Sequence, residues 1–211
     1  MMNQPPTASR AIEPTSLGVL LIDAQPLFWD GMAGACEPVM ARIEHLLLLA
    51  GSFRLPLIAT FEHPVESKGW LPERLEHVFP AHGQRLVKHT FNCCAEAAIQ
   101  QALTALTVHQ MVVAGSETDV CVLQSVLGLL NMGFQVFLLE DSLFSSEPHP
   151  GPALRRMYQA GAIPLTYKSL YYELKQTVDT EPLYHAWNAR YGDGQERYLA
   201  PEALPAWEPA T

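Results

Sequence analysis

Six short runs of apolar residues recur along the chain, separated by longer stretches in which apolar positions return every three or four residues. The runs cover 17–23, 57–61, 85–88, 110–114, 134–139 and 163–166, and they read as strands. Most are apolar at consecutive positions rather than at alternate ones, the pattern of strands covered on both faces. The stretches near 36–52, 95–106, 118–132 and 150–160 carry helical periodicity and supply that cover. Alternating strands and helices predict an α/β fold: three layers, with a mostly parallel six-stranded sheet flanked by helices in a doubly wound, Rossmann-like topology. Residues 17–175 form one domain on this reading. Residues 1–16, polar and proline-bearing, are expected to be a flexible arm. The extension 176–211, with Trp187, Tyr191, Tyr198 and Trp207 among prolines and charges, is expected to lie in contact with another subunit, so a homo-oligomer is predicted.

Composition narrows the partners. The chain has 211 residues, 13 Lys and Arg against 22 Asp and Glu, and a formal charge of -9. No basic block is present, so a nucleic acid has no electrostatic footprint to bind. The first residues lack a charged segment followed by an apolar one, and no apolar run is long enough to cross a bilayer, so a soluble, cytoplasmic protein is expected. Four cysteines, Cys36, Cys93, Cys94 and Cys121, show no disulfide-framework or zinc spacing. The adjacent Cys93 and Cys94 are awkward partners for each other.

The segment 111–133, MVVAGSETDVCVLQSVLGLLNMG, is a buried strand, a tight polar turn and a helix that stops at a glycine. Thr118 is a candidate N-cap and Gly133 a candidate C-terminal cap. Cys121 then falls near the third helical position, where the helix dipole and unpaired N–H groups are expected to lower a thiol pKa. Read alone, Cys121 fits a small core residue among Val120, Val122, Leu123, Val126 and Leu127 better than a nucleophile. Two further residues bear on the choice. Asp23 ends LGVLLID and Lys88 ends RLVK, so both stand at the carboxyl edge of the predicted sheet, where open α/β sheets bind ligands.

IDAQ at Asp23, VKHTF at Lys88 and GSETDVCVLQSVLGLLNMGFQVFLLEDS around Cys121 resemble the isochorismatase-like cysteine hydrolases, a superfamily that includes nicotinamidases and carbamoylsarcosine amidases. The resemblance spans 17–172. It implies a catalytic triad of Asp23, Lys88 and Cys121, a cis peptide between Ser116 and Glu117, and oxyanion donors at the amides of Glu117 and Cys121. It also implies hydrolysis of a small-molecule amide through a thioester, because members that cleave a vinyl ether need no thiol. In this scheme Asp23 takes the thiol proton and Lys88 keeps Asp23 charged.

Nicotinamidases of this superfamily hold a metal through an Asp, His, His set after the second strand. The matching stretch here, ATFEHPVESKGWLPERLEH, has Glu62 and His63 without that spacing. It reads as a solvated loop, with no metal and no cofactor expected, in the manner of the metal-free branch. GSETDV also lacks the glycine pattern of a dinucleotide site. Phe28, Trp29 and Trp70 are candidate walls of a substrate pocket. The competing reading is a catalytically idle member that serves as an interaction or ligand-sensing module, or whose Cys121 is a thiol redox sensor.

Overall fold

The structure, a computed structural model, describes residues 11–176, 201, 204 and 205. Strands β1 (Leu17–Ile22), β2 (Leu57–Glu62), β3 (Gln84–Lys88), β4 (Gln110–Gly115), β5 (Gln135–Leu143) and β6 (Ile163–Leu165) form one sheet in the order β3-β2-β1-β4-β5-β6. Every neighbouring pair is parallel. The chain winds outward from β1 to β3, crosses back to β4 and winds outward again to β6. The winding therefore reverses between β1 and β4, the place where open α/β sheets bind ligands at the carboxyl ends of their strands.

Among the described residues the α-helices are α1 (Pro26–Asp30), α2 (Cys36–Phe53), α3 (Val65–Lys68), α4 (Glu73–Val78), α5 (Ala97–Ala105), α6 (Leu123–Asn131), α7 (Gly151–Ala160) and α8 (Tyr167–Lys175). Side chains alternate across the fully buried β1. Leu17, Val19 and Leu21 pack on one side with Ile43, Leu46 and Leu47 of α2 and Leu170 of α8. Leu20 and Ile22 pack on the other with Ile99 of α5, Val126 of α6 and Met157 of α7. Continuous apolar strands thus become two cores, one under each helical layer.

Three departures from the sequence pattern have local causes. The stretch after β2, expected to be a loop, is organised into α3 and α4, whose Val65 and Leu75 are buried together with the intervening Leu71. β5 continues past its expected end at 139 through Glu140 and Asp141 to Leu143, after a register shift against β4. A charged residue is tolerated there because buried Asp141 accepts from Arg42 Nε at 3.0 Å and from the Tyr167 amide at 3.0 Å. The arm expected over 1–16 is tied down at its far end. Ile12 is buried, its amide donates to Glu173, and Gln110 Nε2 donates to the Ala11 carbonyl at 2.9 Å. The tail aromatics Trp187, Tyr191, Tyr198 and Trp207 lie outside the described residues. No helix among the described residues is long and apolar enough to cross a membrane.

Candidate active site

The candidate site is built by strand ends. Asp23 directly follows β1 and adopts a left-handed backbone (φ 45°), a conformation that Asp enters more readily than most residues. Its amide donates to the Thr60 carbonyl at 3.1 Å, which fixes the turn to β2. Glu62 and Lys88 close β2 and β3 and are register partners, so their side chains rise side by side. Gly115 ends β4 with φ +113°, and a Cβ there would stand 2.0 Å from the Ile22 carbonyl oxygen. Only glycine lets β4 come this close to β1 and still turn. The peptide between Ser116 and Glu117 is cis. The Ser116 amide donates to the Ile22 carbonyl at 2.9 Å, and its hydroxyl donates to the Asp23 carbonyl, also at 2.9 Å.

The helix that carries Cys121 starts differently from its sequence pattern. Thr118–Val122 form a π-helical turn that leads into α6, with the Val122 amide donating to the Glu117 carbonyl at 3.0 Å. Such widened turns recur at functional sites. Thr118 does not cap the helix; its hydroxyl donates to the Phe144 carbonyl at 3.0 Å. At the other end Gly133 takes the left-handed conformation (φ +90°) expected of it.

Asp23, Glu62, Lys88 and Cys121 converge. Lys88 Nζ lies 2.7 Å from Asp23 Oδ2, and both side chains are 0% exposed. The same ammonium is 3.3 Å from Glu62 Oε2 and 3.4 Å from Cys121 Sγ. The Cys121 thiol donates to Glu62 Oε2 at 3.2 Å, and Thr60 Oγ1 donates to Asp23 Oδ1 at 2.9 Å. Donor atoms of Asp23, Glu62 and Cys121 lie within 4.8 Å of one another, the spacing of a metal-ligand group. Lys88 supplies the positive charge that these three donors surround. The three residues at the predicted strand ends and elbow therefore share one cluster, and Glu62 joins them.

The sequence pattern places Glu62 in a solvated loop, whereas in the structure Glu62 closes β2. It is the direct register partner of Lys88, and Lys68 Nζ holds its outer oxygen at 2.5 Å. The neighbouring His63 turns away and stacks on His89 with ring centroids 4.6 Å apart. A carboxylate at the end of a buried strand, as in ATFE, is the signal that would have found Glu62.

The electrostatics assign different characters to the two carboxylates. Burial pushes the Asp23 carboxyl above its usual 3.8, a rise that Lys88, Thr60 and Cys121 oppose. Burial also acts to raise Glu62, but Lys68, the Cys121 thiol and Lys88 outweigh it and hold that carboxyl below 4.5. Burial works against the Lys88 ammonium, yet Asp23, Cys121 and Glu62 keep its pKa above 10.5. For Cys121 the expectation of a lowered pKa is overturned. Burial and the Asp23 charge push the thiol well up, Lys88 opposes them only in part, and Glu62 adds to the rise. An almost fully buried sulfur between two carboxylates favours the neutral thiol more than the helix start favours the thiolate.

The three aromatic candidates separate. Trp29 is core: it is 7% exposed, stacks on Phe144 with centroids 3.9 Å apart, and its Nε1 donates to the Ala24 carbonyl at 3.2 Å. A Trp buries well when its N–H finds a partner, and here the partner is its own turn. Trp70 is half exposed and meets Phe61 edge-on. Phe28 is half-buried, its ring 6.0 Å from the Lys68 ammonium that holds Glu62.

Compared with known proteins, residues 18–169 match the isochorismatase domain family model. The chain belongs to the isochorismatase family. Isochorismatase domain-containing protein 2A of Mus musculus is 29% identical over 163 residues, covering 75% of this chain and 79% of the mouse protein. Among solved structures, the octameric hydrolase of unknown specificity YcaC from Escherichia coli superposes with a TM-score of 0.78 at 24% identity, covering 89% of this chain and 94% of that one. The MAR1 ribonuclease structure from Caenorhabditis elegans does so with a TM-score of 0.76 at 21% identity, covering 94% and 99%. The isochorismatase fold is thus shared by proteins named for different activities, and the substrate has to be argued from the site.

Proposed function

We propose that this isochorismatase-family hydrolase cleaves the C–N bond of a small-molecule amide, with Cys121 as nucleophile and Asp23 and Lys88 completing its triad. The observation that carries the reading is the buried Lys88 ammonium held between Asp23 Oδ2 at 2.7 Å and Cys121 Sγ at 3.4 Å. A buried ion pair beside a cysteine is costly to bury, and it repays that cost where charge must move through the sulfur. Of the two carboxylates, Asp23 has the raised pKa and is the stronger base.

In the reaction, Asp23 takes the thiol proton while the Cys121 sulfur attacks the amide carbon. Lys88 stabilises the thiolate as it forms, and the amides of Glu117 and Cys121 receive the oxyanion. Asp23 then returns the proton to the nitrogen, the C–N bond breaks and ammonia or an amine leaves. Water hydrolyses the thioester to the acid and restores the thiol. A neutral resting thiol suits this sequence, because the proton moves only when a carbonyl is in place. An acidic chain of charge -9 opposes a polynucleotide substrate.

The test is ammonia release across a panel of small primary amides by the wild-type protein and by Cys121→Ala. Turnover of at least one amide, abolished in the variant, is expected; turnover that survives in Cys121→Ala refutes the proposal. We also propose a homo-oligomer, supported by the octameric YcaC hydrolase. A clean monomer in sedimentation at micromolar concentration removes that part.

A further inference from the structure

The cluster holds two carboxylates, whereas the acylation step uses one. Asp23 is 0% exposed and engaged by Lys88 at 2.7 Å and Thr60 at 2.9 Å. Glu62 differs in placement. Its side chain is 16% exposed, its Oε2 faces the Cys121 sulfur at 3.2 Å, and its Oε1 is held by Lys68 at the outer side. It spans the distance from sulfur to solvent. When the sulfur is acylated it no longer carries a proton, so Oε2 loses its S–H donor beside the thioester carbonyl. An ionised oxygen in that position accepts a hydrogen bond from whatever donor can reach it, and of the two carboxylates Glu62 is the one with a side chain exposed to solvent.

We infer that Glu62 is a catalytic residue of the second half-reaction, the general base that activates the water which hydrolyses the Cys121 thioester. This rests on the cysteine-hydrolase reading above. Glu62 takes one proton from water as the water oxygen bonds to the thioester carbon. The tetrahedral adduct collapses, the C–S bond breaks and the sulfur leaves with the bonding pair. The Glu62 proton passes to that sulfur across the 3.2 Å contact, restoring the thiol and the ionised carboxylate. The product acid ionises into solvent. Lys68 and Lys88 keep Glu62 charged between turnovers, while Asp23 serves acylation.

The experiment uses p-nitrophenyl acetate as probe with the full-length wild-type protein, Glu62→Gln, Asp23→Asn and Lys68→Met. Nitrophenolate release reports acylation, and quenched peptide mass spectrometry reports acetyl on Cys121. For Glu62→Gln the expected result is a burst of about one equivalent per site, followed by deacylation slowed ~10²-fold or more, with acetyl-Cys121 accumulating. Residual deacylation should rise in proportion to hydroxide, a change that a merely structural role would not produce. Lys68→Met, which removes the ammonium that most opposes protonation of Glu62, should move the acid limb of deacylation to higher pH. Asp23→Asn should slow the burst itself. Deacylation of Glu62→Gln at the wild-type rate overturns the inference, and so does a burst slowed as much as deacylation. A wild-type protein never acetylated at Cys121 overturns the hydrolase reading and the inference with it.

Discussion

Replacing Lys88 by Met keeps an unbranched side chain as far as the ε position and deletes the ammonium from between Asp23, Glu62 and Cys121. At an effective dielectric of about 20, unit charges at the Lys88–Asp23 separation of 2.7 Å attract by about 6 kcal/mol. That is a ceiling, because burying the ammonium costs several kcal/mol on its own. Removing one partner of a buried pair costs about 3–5 kcal/mol, since the other charge is stranded. Asp23 has a way out, which is protonation. Burial already raises its pKa, and Lys88 is the strongest group opposing that rise, so the variant's Asp23 titrates at still higher pH. With the folded pKa above the unfolded one, the protonated carboxyl favours the fold, and this contribution is lost as pH rises through the folded pKa. The urea-unfolding deficit of Lys88→Met should therefore be smallest at acid pH, where Asp23 is protonated, and grow toward about 3–5 kcal/mol as the pH rises and Asp23 ionises. Asp23→Asn combined with Lys88→Met should recover most of the deficit, because no stranded charge remains. Turnover should fall ~10²–10⁴-fold in each single variant and hardly further in the double, since the residues act as a unit. A deficit below about 1 kcal/mol that does not change with pH would show that Lys88 compensates no buried carboxylate.

Thr60→Val deletes a hydrogen bond to ionised Asp23, so the acid limb of the activity profile, already above the usual 3.8, should move to higher pH; an unmoved limb assigns it to another group. Gly115→Ala places a Cβ 2.0 Å from the Ile22 carbonyl oxygen at φ +113° and should cost about 3 kcal/mol or more in urea unfolding. Trp29→Ala should cost about 3–5 kcal/mol with KM unchanged, whereas Phe28→Ala should raise KM with little loss of stability. In brief alkylation of the native protein, exposed Cys36 should label before buried Cys121, as read by peptide mapping.

The sheet was legible because apolar runs of strand length leave few alternatives once helices separate them, and all six runs are strands. Asp23 and Lys88 stood out as charges ending such runs. Glu62 ends β2 in the same way, but the acidic and basic residues that follow it masked the boundary; α3 and α4 bury only Val65 and Leu75 between charged neighbours, too few positions to show a period. β5 was expected to stop at Leu139, before the charges of Glu140 and Asp141, because the partner that lets Asp141 be buried, Arg42, is 99 residues away. The Cys121 pKa failed for a related reason. A local helix-start argument cannot see Asp23 and Glu62, which only the sheet brings to the sulfur.

Covalent acylation of Cys121 is the central claim, and its most direct measurement is mass spectrometry of acid-quenched protein during turnover of an amide found by ammonia release. The account predicts an acyl group of the substrate on the peptide that carries Cys121, absent in Cys121→Ala and diminished in Asp23→Asn. Steady hydrolysis with no adduct at any quench time, together with full activity in Cys121→Ala, would contradict it.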